Sequence, residues 1–466
     1  MTVTNATITA NSGSDPLREG GDVTPAAVLS QAHEANIEFV DLQFIDILGM
    51  VKSVTISVEQ LPAVIARGMW FDGSSLEGTS RVAERDMYLF PDLATFATVP
   101  WTEVGAGGAT ARLLCGVHRP DGEPFLGDPR AVLTRQLERA RSFGYTYAVA
   151  PEVEFFLLRR DGDRIRPPEG DSGGYFDSAG GAAAAVQRDV VRLIRGMGIR
   201  TEAYHHEVSV GQYEIDFPTD GALRTADGLI TFRTAMKAVA ARRGLHATFM
   251  PKPIAGLNGS GMHIHQRLDH LDSGLSAFTD DADPYGLSET ARAFMAGQLV
   301  HARGMSAVLS PLVNSYRRFV PGHEAPIFLI WARVNHEALI RVPAETGPQH
   351  AGQMELRCPD PAANPYLAFA VMLAAGLDGI EQNLALPEPF EESLYSVSDE
   401  ELRSRNVGML PMTLGEAIIE LELDGVIREA LGDHIYERYV AALRQQWHDY
   451  RKCISQWEVD HYLEAY

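Results

Sequence analysis

Apolar and polar positions follow two rhythms along this chain, and they change where Pro and Gly cluster. Thr24-Pro25 supplies an N-cap and a first helical residue, so a helix is expected to open there. Ile37 to Phe44 and Val51 to Ile56 alternate apolar with polar on either side of a turn at Gly49, the rhythm of a strand pair. Phe71-Asp72-Gly73-Ser74-Ser75 reads as a polar loop and Met87 to Phe90 as another strand. Pro and Gly between Arg119 and Gly127 then break the pattern, which sets a domain boundary. Beyond it Asp128-Pro129 starts a second helix. Helices near 182–197, 224–243 and 288–304 are expected with strands near 145–157, 200–208, 262–267 and 353–357.

That succession predicts an α+β protein without a fixed-period repeat: a flexible tail over 1–22, a small domain over 23–120 and a larger one over 121–466. A chain of 466 residues is too long for one compact core, and 45% hydrophobic content is enough to bury two. The tail is rich in Thr, Ser, Asn and Gly and has no basic start before an apolar run, so no signal peptide is expected. No run approaches eighteen apolar residues, so no transmembrane helix is expected either.

Charge narrows the partners. Asp and Glu outnumber Lys and Arg by 62 to 40, a net charge of −22, and repulsion from phosphate argues against nucleic acid or an anionic membrane. Small cations and amines would be attracted. Cys115, Cys358 and Cys453 are odd in number, far apart and without CxxC spacing, which indicates neither a disulfide framework nor a thiolate metal site and fits a reducing cytoplasm.

The chemistry gathers on strands. In Pro151-Glu152-Val153-Glu154-Phe155-Phe156 the two carboxylates are two residues apart and project from one face. At about 6 Å they repel by roughly 3 kcal/mol at an effective dielectric near 20, which a divalent cation offsets. Polar groups recur in His205-His206-Glu207, Gly211-Gln212-Tyr213-Glu214, His263-Ile264-His265 and Glu355-Leu356-Arg357. Several Glu with one or two His suit two Mg²⁺ or Mn²⁺ ions and not structural zinc, and paired ions point to phosphoryl transfer from ATP. Asn258-Gly259-Ser260-Gly261 would let backbone amides approach a small anion, and Arg317-Arg318 beside Pro321-Gly322-His323-Glu324 offers forks for carboxylate or phosphate. No GxxxxGK[ST] loop is present, and no GxGxxG stands between a strand and a helix, so a nucleotide would need a different fold.

Taken in order, Phe71 to Ser75, Pro151 to Phe156, His205 to Glu214, Asn258 to His265, Asn314 to Pro326 and Glu355 to Tyr366 resemble the signature segments of the type I glutamine synthetase family. The spacing within His205 to Glu214 and the segment Asp41 to Lys52 are most similar to its shorter, Gram-positive form. The resemblance implies a β-grasp-like N-terminal domain and a catalytic domain with a curved antiparallel sheet, of the glutamine synthetase/guanido kinase-like class. It also implies two stacked hexameric rings with active sites between subunits. Glu154, Glu207 and Glu214 would hold one metal, and Glu152, His263 and Glu355 the other. Asn258, Gly259, His263, Arg318 and Arg357 would bind glutamate; Glu202, His265, His336 and Gln353 would line the nucleotide. Asp72 from the adjacent subunit, with Ser75, Tyr175 and Glu207, would bind ammonium, and Glu324 would lie on a flap. Asp72, Glu324, Arg318 and Arg341 would serve catalysis: ATP phosphorylates the glutamate side chain, then ammonia displaces phosphate.

The chain departs from that pattern at three places. His336 stands where the family has an arginine, Gln353 where an arginine precedes the metal-binding Glu by two, and Arg267 where a small hydroxyl residue is usual. Arg333 lies an odd number of residues from His336 and would face away on a regular strand. Three readings follow: a glutamine synthetase, a γ-glutamyl ligase for an organic amine or polyamine, to which Thr79-Ser80 would leave room, and a non-catalytic regulatory paralogue. Tyr395 reads as an ordinary loop tyrosine and Arg81 as a surface arginine.

Overall fold

The computed structural model describes residues 23–73, 86–102, 108–162, 164–178, 180–319, 326–344, 352–394, 397, 402, 405 and 407–466. The tail over 1–22 and the expectations at Ser75, Thr79, Ser80, Arg81, Glu324 and Tyr395 lie outside them.

Two sheets organise these residues. The first comprises β1 (Ile37–Ile45), β2 (Val51–Ser57), β3 (Met69–Asp72), β4 (Asp86–Pro91), β5 (Ala97–Thr98) and β6 (Ala109–His118), in the order β2-β1-β6-β4-β3 with β5 beside β6. Its pairs are antiparallel except β1 with β6, which is parallel. Val40, Leu42 and Phe44 of β1 and Leu113 and Val117 of β6 are buried with Val28 of α1 (Pro25–Glu34) and Val64 of α2 (Leu61–Arg67) in one core. The Thr24 side chain caps α1 by accepting from the Ala27 amide at 3.2 Å, as the Thr-Pro opening predicts.

The second sheet is built around the long β7 (Tyr145–Asp161). With it lie β8 (Arg164–Arg166), β9 (Tyr204–His206), β10 (Gln212–Asp216), β11 (Asp220–Gly221), β12 (His246–Thr248), β13 (Met262–His270), β14 (Phe328–Ala332), β15 (Ala338–Arg341) and β16 (Met354–Leu356). The main path is β14-β15-β16-β13-β7-β10-β9. It is antiparallel, as expected, up to its edge, where β14 and β15 run parallel. On one face Val149, Val153, Phe155 and Leu157 of β7 are fully buried against α3 (Pro129–Ser142), α4 (Gly181–Gly196) and α5 (Ala222–Arg242). The opposite face carries the carboxylates. Behind α5, α6 (Glu289–Leu309) crosses α7 (Pro365–Glu381) so closely that a Cβ on Gly297 would collide with the Ala375 carbonyl and Gly379. Among the described residues the further α-helices are α8 (Leu414–Leu423), α9 (Gly425–Leu431), α10 (Asp433–Tyr450) and α11 (Gln456–Tyr462).

Side chains lock the two sheets together. Arg130 at the start of α3 bonds Asp92 beyond β4 at 2.6 Å and Asp227 on α5 at 2.9 Å, and Tyr366 donates to the same Asp227 at 2.6 Å. Asn364 donates to the Asp46 carbonyl at 3.2 Å, next to the turn at Gly49, whose φ is +81°. Most expected elements sit within three residues of their predicted bounds. The exceptions are α6, which runs five residues past 304, the strand near 200–208, which shrinks to β9, and β7, which extends four residues past 157.

Candidate functional site

The register of the second sheet brings separated sequence segments onto one face. Glu154 of β7 stands opposite Glu214 of β10, which stands opposite His205 of β9. One step along, Glu152 is flanked by Asp216 on β10 and His263 on β13. In the next row His265 faces Glu355 of β16, which faces Arg341 of β15. Alternation does this: residues two apart on a strand share a face, and directly opposed residues on neighbouring strands share it too.

The distances are those of a packed ionisable cluster. His263 Nδ1 lies 3.4 Å from both Glu152 and Glu355, and His265 Nε2 lies 2.8 Å from Glu152. His205 Nε2 is 3.2 Å from Glu214, and its Nδ1 is 3.5 Å from Glu207. Arg341 and Arg357 both hold Glu355, at 3.2 and 3.0 Å. Glu207, Glu214 and Glu355 are all buried.

Burial, with repulsion from Glu207, pushes the Glu154 carboxyl well above the usual range; burial and the neighbouring Glu154, Glu152 and Asp216 do the same to Glu214. Burial also opposes ionisation of Glu152, but hydrogen bonds with His263 and His265 outweigh it and hold that carboxyl well below. Such a set, rich in oxygen and short of positive charge at its β7–β10 end, is what a hard divalent cation stabilises. Among the described residues, two groups have ligand atoms within 4.8 Å of one another: Glu152, His265 and Glu355, and His205, Glu214 and Asp216.

The loop ahead of β13 closes over this end. A Cβ on Gly261 would stand 2.7 Å from Arg318 Nη2, 3.0 Å from His263 Nε2 and 3.1 Å from Glu154 Oε1, so only glycine lets all three converge. The Gly259 carbonyl accepts from Gln212 at 3.0 Å, and the Asn258 amide donates to Ser209 at 2.9 Å. Arg318 is buried and donates to the Cys358 and Arg357 carbonyls, both at 2.9 Å.

Other expected residues are more scattered. Tyr175 is exposed, its ring 5.5 Å from that of His205, and burial with Glu207 and Glu214 nearby pushes its hydroxyl up to about 12. Glu202 is exposed, its amide donating to the Asp216 carbonyl. The His336 carbonyl accepts from Arg357, and Gln353 donates to Thr219 at 2.7 Å. Arg333 reaches the Tyr285 carbonyl at 2.6 Å and stacks over that ring, so it does not stand in for the arginine missing at 336. Asp72 ends β3, the edge of the first sheet, and lies on a different sheet from the carboxylates.

Four residues had no role assigned from the sequence, although His205 and Gln212 stand in its polar segments. Gln212 and Asp216 share the period of Glu214 and were within reach of it; Gln212 donates to Glu154 at 2.7 Å. His205 follows from its pairing with Glu214. Asp171 carries no local signal: it accepts from Gly211 at 2.7 Å and Tyr213 at 2.8 Å and bonds His206 at 2.9 Å, fixing the β9–β10 turn.

Comparison with known proteins points the same way. The family described as "Glutamine synthetase, catalytic domain" matches residues 126–462, and "Glutamine synthetase, beta-Grasp domain" matches residues 36–120. The chain is 47% identical over 453 residues to a glutamine synthetase of Thermus thermophilus, covering 95% of this chain and 99% of that one. It is 45% identical to one of Staphylococcus aureus, covering 93% and 97%. Among solved structures, one described as a "GmaS/ADP complex" superposes with a TM-score of 0.83 at 32% identity, covering 94% of this chain and 99% of that one.

Proposed function

The chain belongs to the glutamine synthetase family, and from that premise we propose that it joins ammonium to the γ-carboxylate of L-glutamate, with ATP as phosphoryl donor and γ-glutamyl phosphate as intermediate. The observation that carries the reading is the register that sets Glu152, Glu154, Glu214, His263 and Glu355 on one face beneath the Gly259–Gly261 loop.

That donor set fits two divalent ions, Mg²⁺ or Mn²⁺, with Glu154, Glu207 and Glu214 around one and Glu152, His263 and Glu355 around the other; His205, His265 and Asp216 lie close enough to share them. Bound there, the ions would polarise the phosphoryl oxygens and neutralise charge as it develops. Arg357 with Asn258 and Gly259 would bind glutamate, and the buried Arg318 would shape that pocket from beneath the loop. Arg341 would offset charge on the transferring group, with His265, His336, Gln353 and Glu202 along the nucleotide. Asp72, Ser75, Tyr175 and Glu207 would hold ammonium, Asp72 taking its proton so that free ammonia attacks the acyl phosphate. Glu324 would belong to a flap that excludes water.

The placement of Asp72 on the first sheet supports a site completed by a second copy, in an assembly of two hexameric rings. Within each copy, residues 23–120 would be the small domain and 121–466 the catalytic one. Cys115, Cys358 and Cys453 are free thiols, in keeping with a cytoplasmic enzyme. Among the described residues no helix is long and apolar enough to cross a membrane.

The test is product formation from glutamate, ATP and Mg²⁺ with ammonium, methylamine or a polyamine at matched concentrations. Glutamine as the dominant product supports the reading. A γ-glutamylamide in its place would move the acceptor to an organic amine, and no turnover by folded, metal-replete protein would leave the non-catalytic alternative.

A further inference from the structure

A segment with no helix or strand of its own passes around one edge of the second sheet. β9 ends the main path, and alternation puts His205 on the face of the carboxylates and His206, with Tyr213 opposite it, on the reverse. Residues 171–177 run around that edge. Tyr175 and Phe176 lay their rings against His205 on the carboxylate side, with centroids 5.5 and 4.6 Å away. The Phe176 amide donates to the His206 carbonyl at 3.0 Å along the edge itself. Its φ of +61° is a left-handed turn that phenylalanine adopts only where its surroundings hold it.

Asp171 supplies the hold on the reverse side. One of its carboxylate oxygens accepts from the Gly211 amide at 2.7 Å and the Tyr213 hydroxyl at 2.8 Å. The other accepts from the Gly173 amide at 3.2 Å and meets His206 Nε2 at 2.9 Å. His206 is buried and its Nδ1 lies 2.6 Å from the Glu207 carbonyl, so contacts run from Asp171 through the imidazole to the main chain of Glu207. Gly173 packs against that ring so closely that a Cβ there would stand 3.2 Å from it. One carboxylate thus fixes both the start of the segment that carries Tyr175 and the hairpin that carries Glu207 and Glu214.

We propose that Asp171 is a positioning residue for the amine acceptor: from the reverse face of the sheet it sets Tyr175 against Glu207. It would touch no substrate itself. The inference rests on the functional reading above, in which Tyr175 and Glu207 receive ammonium, and adds to it a residue outside that site.

The test compares Asp171→Asn with the parent in steady state at saturating Mg²⁺, varying ammonium, glutamate and ATP in turn, with methylamine as a second acceptor and melting temperature as the control. An amide keeps the size of the carboxylate but offers one acceptor oxygen where both are used. KM for ammonium should rise about 10-fold, the worth of one charge-assisted contact. KM for glutamate and for ATP should stay within about threefold. The preference for ammonium over methylamine should narrow, because a displaced Tyr175 selects less sharply. Tyr213→Phe, which removes one donor to Asp171 and leaves the carboxylate, should move the same constant in the same direction by less, and it carries the test if the asparagine variant fails to fold. An Asp171 that serves the fold alone would lower the melting temperature and the amount of active enzyme with every KM unchanged. That outcome, or a parallel rise in all three KM values, would overturn the inference. If the parent shows no amine-dependent turnover, the functional reading itself falls; if it does and KM for ammonium does not move, only the inference falls.

Discussion

The Gln212 amide donates to Glu154 at 2.7 Å and to the Gly259 carbonyl at 3.0 Å, tying a carboxylate of the cluster to the loop that would receive glutamate. Gln212→Ala should therefore weaken divalent-metal affinity by roughly 10-fold, as groups orienting metal ligands generally do, with little change in melting temperature. Titration with Mn²⁺ monitored by electron spin resonance reads this directly, and unchanged affinity would reduce Gln212 to a packing residue. At this scale the sequence was informative where chemistry follows a period. Glu152 with Glu154 and His263 with His265 announce themselves by alternation. Asp171 does not, because its role comes from accepting bonds across a turn some forty residues away. Nor was it legible that Arg318 would spend its donors on main-chain carbonyls, since that depends on how the loop before β13 packs against the segment after β16.

Elements were legible in proportion to their length. The long helices and the strand pair at the N-terminal end carry many periods of their pattern; β8, β11 and β12 have two or three residues each and exist because β7 offers them an edge. One contact between helices was invisible in sequence. His301 on α6 lies between Asp424, the cap of α9, at 2.8 Å and Asp378 on α7 at 3.0 Å. Burial lowers its proton affinity, but hydrogen bonds with both carboxylates prevail and the imidazole is raised above its ordinary value. A group whose folded pKa is raised contributes stability that is fully present below its unfolded value near 6.5 and is lost as pH climbs through the folded value. His301→Asn should thus cost about 2 kcal/mol near pH 6, at the low end for a paired charge because the site reaches the surface, and clearly less near pH 9. Urea denaturation of both proteins at the two pH values checks it; a pH-independent gap would mean that the ring packs there uncharged.

At the scale of the whole molecule, burial and charge act together. The apolar face of β7 fixes the second sheet against its helices, and Arg130, Asp92, Asp227 and Tyr366 fix the first sheet against the second. Alternation made both sheets legible, but it carried no information on which sheet Asp72 would join, and it lies on the smaller one, away from the carboxylates. The net charge of −22 is partly functional: five glutamates and Asp216 crowd one face, which cations and amines approach readily and which substrate phosphates enter only with compensating charge. The central claim is that the glutamate side chain is activated as an acyl phosphate before ammonia attacks. It is tested most directly with glutamate carrying ¹⁸O in its γ-carboxylate, by mass analysis of the phosphate released in the presence of ATP and ammonium. In the proposed chemistry a carboxylate oxygen attacks the γ-phosphorus of ATP, and ammonia then expels that oxygen with the phosphate, so each phosphate should carry one ¹⁸O for each glutamine formed. Glutamine appearing with unlabelled phosphate would contradict the account.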